Sequence, residues 1–347
     1  MKKIILIVNI ALVLFNSCDS STEYIENTKP GRRDYTWTVD TLGGINSPRG
    51  KMWGSSPTDI WATSTSAWEY SISHFDGYNW SSYGIQGIIN PSAIYGFSKN
   101  NIFIGSENGN IWHYDGVGWK KFAEITKDGH QDIVLGNIWG ENSNDFYVFG
   151  AYPDSIGAYN KSVIALYKDY NWNILTSDGL IGIVGNLFEN TLENKVYLNT
   201  YRISGGQYYD STLIFEYNQI KYQQLYSSVW TKGLQADISF INNEVIFVLG
   251  NKVAKRVSSQ FQTILNVTNP NFYQRIWGRS DKDIFLLMTD GLAHYNGSDV
   301  QYLFHFPLAN QIPWTQIFGA ALFENDVFFS VYEPPTGLSL VYHGKLN

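Results

Sequence analysis

Short apolar segments, separated by polar turns, recur along most of the chain on one skeleton. The copy that starts at Met52 reads Met-Trp-Gly-Ser-Ser-Pro-Thr-Asp-Ile-Trp, and openings of the same kind start at Ile94, Ile138 and Ile276. The residues before each Trp-Gly or Tyr-Gly pair predict a first β-strand. The short polar residues that follow predict a tight turn, because such side chains hydrogen-bond nearby backbone amides. The Asp-Ile-Trp type of segment then predicts a second strand.

A second half-motif follows several of these openings and predicts two more strands. It reads His-Phe-Asp-Gly-Tyr-Asn-Trp from His74, His-Tyr-Asp-Gly-Val-Gly-Trp from His113 and Tyr-Lys-Asp-Tyr-Asn-Trp from Tyr167, with weaker forms from His294 and Tyr342. Asp-Gly is a strong hairpin signal, so a third strand ends there and a fourth begins at the tryptophan. Each copy therefore predicts four consecutive antiparallel strands, which we call A, B, C and D.

The spacing of the copies predicts the architecture. Degenerate copies start near Val184, Ile238 and Phe318, which gives seven openings. From Gly54 to Gly319, successive copies start about 44 residues apart on average. A four-stranded propeller blade has ~40–50 residues. We therefore expect an all-β fold, a seven-bladed β-propeller of four-stranded antiparallel blades. An insertion in the fourth copy and the weakness of the fifth leave six or eight blades open.

The two ends of the repeat region predict how the ring closes. The seventh copy stops at residues 342–347 without a strand D, and residues 35–40 resemble a strand D that has no blade. We expect the N-terminal strand to complete the last blade, because this pairing removes an aggregation-prone strand edge.

Composition narrows the class of protein further. The chain of 347 residues is 16% aromatic and 16% charged, whereas soluble domains usually carry about 25% charged residues. Disorder is excluded for most of the chain, since disordered segments are poor in aromatic residues and rich in charge. The net charge is −7, and the chain lacks the clustered Lys and Arg that a nucleic-acid partner requires.

The first residues predict export. Lys2 and Lys3 precede an apolar segment, 4–15, which is too short to span a bilayer. The sequence Leu-Phe-Asn-Ser-Cys that follows resembles the bacterial lipoprotein signal, in which a cysteine after a small residue is lipidated. Cys18 is the only cysteine of the chain. An ordinary secretory signal with an incidental cysteine is the alternative.

The resemblance to a lipoprotein signal implies a domain organisation. Residues 1–17 form the signal peptide, residues 18–34 a lipidated, flexible tether, and residues 35–347 the propeller domain. The repeats resemble those of bacterial seven-bladed β-propeller proteins, many of which are exported as lipoproteins. This resemblance covers about residues 35–347 and implies a location in the cell envelope, lipid-anchored at the outer membrane on its periplasmic or surface face. It says little about function, because propellers host unrelated activities.

Residues that recur among the copies are weak candidates for function, because a blade needs them for packing or turns. They are Trp53, Trp61, Trp80, Trp119, Trp139, Trp172, Trp277, His74, His113, His294, Asp59, Asp145 and Asp283. The B–C and D–A loops lie on one face of the disc and vary strongly in length. Binding residues concentrate on such loops, and we call this side the variable-loop face. Its candidate ligand-binding residues are Trp68, Glu69, Tyr70, Tyr152, Asp154, Tyr159, Arg202, Tyr208, Tyr209 and Trp314.

One loop holds a compact group of acids and a histidine. Asp128, His130 and Asp132 could carry proton transfer or bind a metal, but aspartates and glycines in a loop are also ordinary turn residues. A metal site needs three or four converging ligands, and the common catalytic motifs are absent from the sequence. We therefore expect no metal and no cofactor, and the catalytic residues, if any, stay unassigned.

Three functions remain open. The first is a non-catalytic, monomeric cell-envelope lipoprotein that binds a glycan or a protein partner through the variable-loop face. The second is a polysaccharide-active hydrolase or lyase with acids at the central channel mouth, where a glycosidase needs a carboxylate pair about 5–10 Å apart. The third is a structural subunit of an envelope complex. The acids available on the variable-loop face are Glu69, Asp128, Asp132, Asp154, Asp210 and Glu333.

Overall fold

The computed structural model describes residues 29–42, 49–65, 68–191, 193–203, 209–229, 235–307 and 316–347. Within these residues the strands form seven four-stranded antiparallel sheets. The innermost strand of each sheet contacts the innermost strands of its two neighbours, and the last sheet contacts the first. The sheets are therefore blades of a closed ring, and the prediction of an all-β, seven-bladed propeller is confirmed. No helix in this part of the chain is long and apolar enough to cross a membrane.

The blades follow one another along the chain. The first three consist of β2 (Arg49–Ser56), β3 (Asp59–Ser64), β4 (Ile72–Phe75) and β5 (Trp80–Tyr83); β6 (Ala93–Ser98), β7 (Asn101–Gly105), β8 (Asn110–Tyr114) and β9 (Trp119–Glu124); and β10 (Val134–Asn142), β11 (Asp145–Pro153), β12 (Tyr159–Lys168) and β13 (Asn171–Ile174). The next three consist of β14 (Ile183–Asn190), β15 (Lys195–Ile203), β16 (Tyr209–Tyr217) and β17 (Tyr222–Val229); β18 (Ala236–Ile241), β19 (Glu244–Leu249), β20 (Lys252–Val257) and β21 (Gln260–Asn266); and β22 (Phe272–Ser280), β23 (Asp283–Met288), β24 (Gly291–Tyr295) and β25 (Val300–His305). The seventh consists of β26 (Gln316–Leu322), β27 (Asp326–Glu333), β28 (Leu338–Leu346) and β1 (Tyr35–Leu42).

The N-terminal strand closes the ring as predicted. β1 pairs with β28 along its whole length, from Tyr35 opposite Leu346 to Leu42 opposite Ser339. The hydroxyl of Tyr35 accepts a hydrogen bond of 2.7 Å from Arg279 of the sixth blade. The seventh blade is therefore held by both ends of the propeller domain, and its outer strand is tied to its neighbour.

The core is divided among the interfaces between blades. Seven clusters of buried apolar side chains each join two adjacent blades. The motif tryptophans lie in these interfaces. The ring of Trp53 packs against Gly96 of the next blade so closely that a Cβ at Gly96 would lie 2.6 Å from the ring. Trp139 in turn packs edge-on against Phe188 of the following blade, with ring centroids 5.7 Å apart. The recurrent aromatic residues therefore pack between sheets, as predicted.

The recurrent histidines are held by the first residue of strand B. His74 Nε2 lies 2.7 Å from Asp59 Oδ1, and the imidazole stacks on Trp61 with centroids 4.0 Å apart. The same triple occurs as Asn101, Phe103 and His113, as Asp283, Phe285 and His294, and as Asp326, Phe328 and His343. The motif aspartate was predicted to form the turn. Asp59 and Asp283 bind the histidine, and Asp59 also accepts from Ser55 Oγ in the turn, whereas Asp145 pairs with Lys168 at 2.8 Å. The turn amide of Thr58 donates to Ser56 Oγ.

Two degenerate copies begin later than predicted. In blade 4 the residue in the position of the motif tryptophan is Phe188, opposite Tyr197, and in blade 7 it is Ala321, opposite Phe328. The predicted openings at Val184 and Phe318 lie instead at irregular pairings of strand A, at or beside a residue left out of the ladder. A β-bulge inserts an unpaired residue into a strand, and in these two blades it mimicked the start of the motif.

The residues just before β1 lie on the face opposite the variable loops. The amide of Gly31 donates to the carbonyl of Lys282 in the A–B turn of blade 6, at 3.0 Å. Arg33 Nη1 lies 2.7 Å from Asp299 Oδ1 in the C–D turn of the same blade. A side chain in place of Gly31 would not fit, because its Cβ would approach Asp283 Oδ1 to 2.6 Å. The C-terminal end of the predicted tether therefore contacts blade 6.

Candidate binding site at the channel mouth

The aromatic candidates of blade 1 lie on an exposed loop. Trp68, Glu69 and Tyr70 form a short 3-10 turn between strands B and C. Trp68 and Tyr70 are 53% and 47% exposed, so both rings are available on the variable-loop face. Gly84 packs directly against Trp68, whose carbonyl oxygen would lie 2.2 Å from a Cβ at that position.

The structure brings together four candidates: Asp128, His130 and Asp132 lie in the D–A loop between blades 2 and 3, whereas Tyr152, which was predicted as a loop residue, lies in strand β11 of blade 3. The hydroxyl of Tyr152 donates to Asp128 Oδ2 at 2.8 Å. The ring centroids of His130 and Tyr152 are 5.3 Å apart. His130 Nδ1 lies 3.4 Å from Asp132 Oδ1. Burial and the Asp128 carboxylate raise the pKa of Tyr152 to about 12, so its phenol stays protonated. Tyr152 is only 3% exposed, and its hydroxyl therefore holds the loop that carries Asp128.

An open polar pocket of about 620 Å³ adjoins this group and includes Asp128 and Tyr152 in its lining. No set of three His, Cys, Asp or Glu side chains among the described residues is placed to hold a metal ion. The lining of the pocket also carries Lys127, Lys161 and Asp178, so the pocket offers charged groups as well as hydrogen-bond donors and acceptors.

The other candidates are dispersed. Asp154 shapes its own loop, since its Oδ1 accepts from the amides of Ile156 and Ala158 at 2.9 and 3.0 Å. Desolvation alone would raise the pKa of the Asp154 carboxyl, but these two bonds and a hydrogen bond from Asn160 together outweigh it and lower the pKa. Tyr159 is 40% exposed, and Arg202 is exposed near the end of β15. Cys18, Tyr208 and Trp314 lie outside the described residues, as does the side chain of Tyr209.

A further group of polar side chains, which the sequence did not single out, lies on the inner strands of the ring. Each member stands two residues before the position of the motif aromatic, so each occupies an equivalent place on its strand A. This place is in the half of the strand nearer the variable-loop face. We call this group the channel cluster, and it consists of Lys51, Asn137, Asn186, Asp237 and Arg275.

Asp237 is the centre of the channel cluster. Its Oδ1 accepts hydrogen bonds from Asn186 Nδ2 at 2.9 Å, Asn199 Nδ2 at 3.1 Å and the amide of Ile238 at 2.9 Å. Its Oδ2 lies 3.4 Å from Arg275 Nε. The side chain of Asp237 is only 8% exposed, so the carboxylate is a buried anion whose charge is satisfied by neighbouring donors.

Arg275 extends across the channel. Its Nη2 donates to the hydroxyl of Tyr201 at 3.3 Å, which joins blade 6 to blade 4. These blades are not neighbours, so the contact is made through the central space. Arg275 reaches this position from an irregular stretch of β22, where Gln274 has a φ of 52°. Such bulges redirect side chains next to functional sites.

Lys51 completes the cluster from blade 1. It makes no hydrogen bond or ion pair with a described residue. Burial and the positive charge of Arg275 lower the pKa of Lys51 from 10.5 to about 8, and Asp237 only partly opposes this effect. The mouth of the channel thus carries two cations and one carboxylate among the described members of the cluster. The acid pair required by a glycosidase is not what the structure places there.

Comparisons with known proteins support the fold. No protein-family model matches the chain, and no curated protein gives a significant match. Among solved structures, YCF48 bound to D1 peptide is 14% identical, with a TM-score of 0.58 and coverage of 92% of this chain and 100% of that one. A catalytically inactive virginiamycin B lyase from Staphylococcus aureus with quinupristin is 11% identical, with a TM-score of 0.64 and coverage of 90% and 100%.

The WD40 β-propeller domain of Doa1 is also similar, at 12% identity, with a TM-score of 0.54 and coverage of 90% and 98%. A peptide-binding protein, a lyase and a WD40 domain thus share this architecture. The likeness defines the class of protein as a β-propeller and does not assign a function.

Proposed function

We propose that this protein is a non-catalytic lipoprotein of the bacterial cell envelope that binds a protein partner through the variable-loop face. The observation that carries the proposal is the channel cluster, in which a fixed network of hydrogen bonds leaves the side chain of one cation, Lys51, without a hydrogen bond or ion pair to a described residue. Preorganised polar groups at the mouth of a rigid scaffold suit recognition of a ligand.

A peptide segment fits this mouth better than a glycan. Glycan grooves depend on converging aromatic faces, but the exposed ring of Trp68 lies on the B–C loop of blade 1 and that of Tyr159 lies at the start of β12 in blade 3. The channel cluster instead offers amides and cations, which match the carbonyl and carboxylate groups of a peptide. The similar fold of YCF48, solved with a bound peptide, supports the same choice.

The anchor is the second part of the proposal. Cys18 is the lipidated residue, residues 18–34 are the tether, and the protein acts as a monomer at the outer membrane. The test is metabolic labelling with an alkynyl fatty acid in the native bacterium. We expect label on the protein with Cys18, none on the Cys18→Ser variant, and release of that variant from the membrane fraction. Equal membrane association of both chains would contradict the anchor.

Partner binding is tested with the purified Cys18→Ser chain on a peptide array and a glycan array side by side. We expect binding to peptides, and loss of binding when Lys51 is replaced by methionine. Lys120→Met is the matched control, because Lys120 lies on strand D after a C–D turn on the opposite face and pairs with Asp115. Binding to glycans alone would favour the glycan form of the hypothesis, and binding to neither would contradict the proposal.

A lyase activity is the second candidate, and one observation favours it. A lysine with a pKa of about 8 supplies some neutral amine near neutral pH, which can act as a base. Arg275 and the hydroxyl of Tyr201 lie in contact with each other in the same mouth. Elimination would create an unsaturated product, so ultraviolet absorbance during incubation with acidic polysaccharides is the test. No increase in absorbance would exclude those substrates.

A further inference from the structure

The charges in the channel mouth do not balance. Oδ1 of Asp237 already accepts three hydrogen bonds, and Oδ2 lies beside Arg275. Asp237 therefore accepts from the donors around it and forms no ion pair with Lys51. Among the described side chains of the cluster, the mouth holds one positive charge more than its carboxylate offsets, in a chain whose overall net charge is −7.

An ammonium group in this position lacks its normal partners. Lysine carries three donor hydrogens, and removing a charged group from water is unfavourable unless an opposite charge or hydrogen-bond acceptors replace the water. Lys51 is only partly exposed and has no acceptor among the described side chains. A bound anion would supply both the acceptors and the missing charge.

Resting on the function proposed above, we infer that the channel mouth binds a carboxylate of a peptide ligand between Lys51 and Arg275. The geometry favours a planar, singly charged group. Asp237 at Nε and Tyr201 at Nη2 fix the orientation of Arg275. Its Nη1 makes no hydrogen bond or ion pair with a described residue. A guanidinium held in this way can still donate to a carboxylate.

The two cations have different tasks in this arrangement. Arg275 is oriented by the network and sets the position of the carboxylate, whereas Lys51 approaches from blade 1 on a flexible side chain and closes the contact. The excess of one positive charge matches a carboxylate better than a phosphate, which carries nearly two negative charges at neutral pH. The carboxylate is supplied either by the free C-terminus of the peptide or by an Asp or Glu side chain.

Three synthetic libraries of eight-residue, fluorescein-labelled peptides distinguish these sources. The first has free C-termini, the second has amidated C-termini, and the third replaces Asp and Glu by Asn and Gln. Fluorescence polarisation with the full Cys18→Ser chain measures binding. We expect a decrease of about tenfold or more in affinity when the carboxylate that is bound is removed. A decrease in the second library identifies the C-terminus, and a decrease in the third identifies an acidic side chain.

The variants test the protein side of the same contact. Lys51→Met and Arg275→Gln should each weaken binding about tenfold or more, Lys51→Arg and Arg275→Lys should retain more of it, and Lys120→Met should leave it unchanged. Circular dichroism verifies that each variant is folded, and Lys51→Met carries the test if Arg275→Gln is not.

The outcomes separate the inference from the proposed function. Two results would overturn the carboxylate inference and leave peptide binding intact. The first is equal affinity of the original chain and Lys51→Met for peptides. The second is equal affinity for peptides that carry carboxylates and for peptides whose carboxylates are amidated or replaced. Binding only to uronic-acid oligosaccharides, or to no probe, overturns the proposed function as well.

Discussion

Replacing Lys51 with methionine should make the protein more stable in the absence of ligand. Methionine is an unbranched residue that can fill most of the space of the lysine stem, and it carries no charge that must be removed from water. Lys51 is held near Arg275, another cation, without a contact to a described acceptor. The substitution therefore removes an unfavourable interaction while it removes the proposed ligand contact.

The size of the effect follows from the pKa of the lysine. The decrease from 10.5 to about 8 corresponds to about 3 kcal/mol at low pH. Water in the channel and the flexibility of the side chain reduce this amount, so we expect Lys51→Met to increase the free energy of unfolding by about 1–3 kcal/mol. Lys120→Met, on the exposed opposite face, should change it by less than about 1 kcal/mol.

The lowered pKa of Lys51 also sets the direction in which the stability difference changes with pH. Between about pH 8 and pH 10.5 the unfolded chain binds a proton at Lys51 that the folded chain does not. The stability of the original chain therefore increases with pH across this range. The advantage of Lys51→Met should be largest at pH 7 and should decrease to almost nothing near pH 10.5.

Urea unfolding followed by tryptophan fluorescence measures this difference, since the midpoint changes with stability at constant slope. The measurement is made at pH 7 and at several values up to pH 10.5, on Lys51→Met, Lys120→Met and the original chain. A Lys51→Met variant that is less stable at pH 7, or an advantage that does not depend on pH, would refute the reasoning.

Three further predictions concern the scaffold. Asp283→Asn should lower the free energy of unfolding by about 2–4 kcal/mol in urea titrations, because it removes the buried charge that holds a histidine and an arginine. Asp59→Asn, at the more exposed equivalent place, should cost less. Gly96→Ala should lower the melting temperature, since its Cβ would approach a tryptophan ring to 2.6 Å, whereas Gly118→Ala meets nothing within 4 Å and should be neutral. Deletion of residues 29–42 exposes the edge of β28, and gel filtration should show aggregation; a monomeric, stable deletion variant would contradict the closing role of β1.

The sequence predicted the scaffold well because the information for it is repeated. The Trp-Gly and His-x-Asp-Gly pairs mark turns and interface aromatics in successive blades, and the missing last strand pointed to β1. The errors fell where a copy diverged, as at Val184, which is paired next to a bulge and does not start the motif. A bulge changes the register of a strand without a sequence signal of its own.

The channel cluster escaped sequence analysis for a related reason. Its members lie inside the repeat, two residues before the motif aromatic, and the constant positions beside them dominate the repeat pattern. The signal that could have found them is variation at this one place, where successive copies carry Lys51, Asn137, Asn186, Asp237 and Arg275 among others. Even so, the contact between Arg275 and Tyr201 joins non-adjacent blades, and the spacing of residues along the chain cannot show which side chains meet across a ring.

For the loop candidates, the sequence identified the residues but not their burial or their contacts. Loop composition selected Tyr152 for its aromatic ring, but Tyr152 lies in strand β11, and its burial beneath Asp128 depends on how this strand meets the loop between blades 2 and 3. Trp68 and Tyr70 are exposed as a loop residue is expected to be, and their contact with a ligand stays a prediction. Their substitution in the peptide-binding assay would decide it.

The contacts of Gly31 and Arg33 with blade 6 bear on orientation. They bring the start of the folded body to the side of the disc that carries the A–B and C–D turns. A lipid on Cys18 would leave thirteen residues before Gly31, a span of at most roughly 45 Å when fully extended. The anchored disc would then present its constant turns to the bilayer and its channel mouth to the opposite compartment. A partner would approach from the distal side, without competing with lipid headgroups for the same surface.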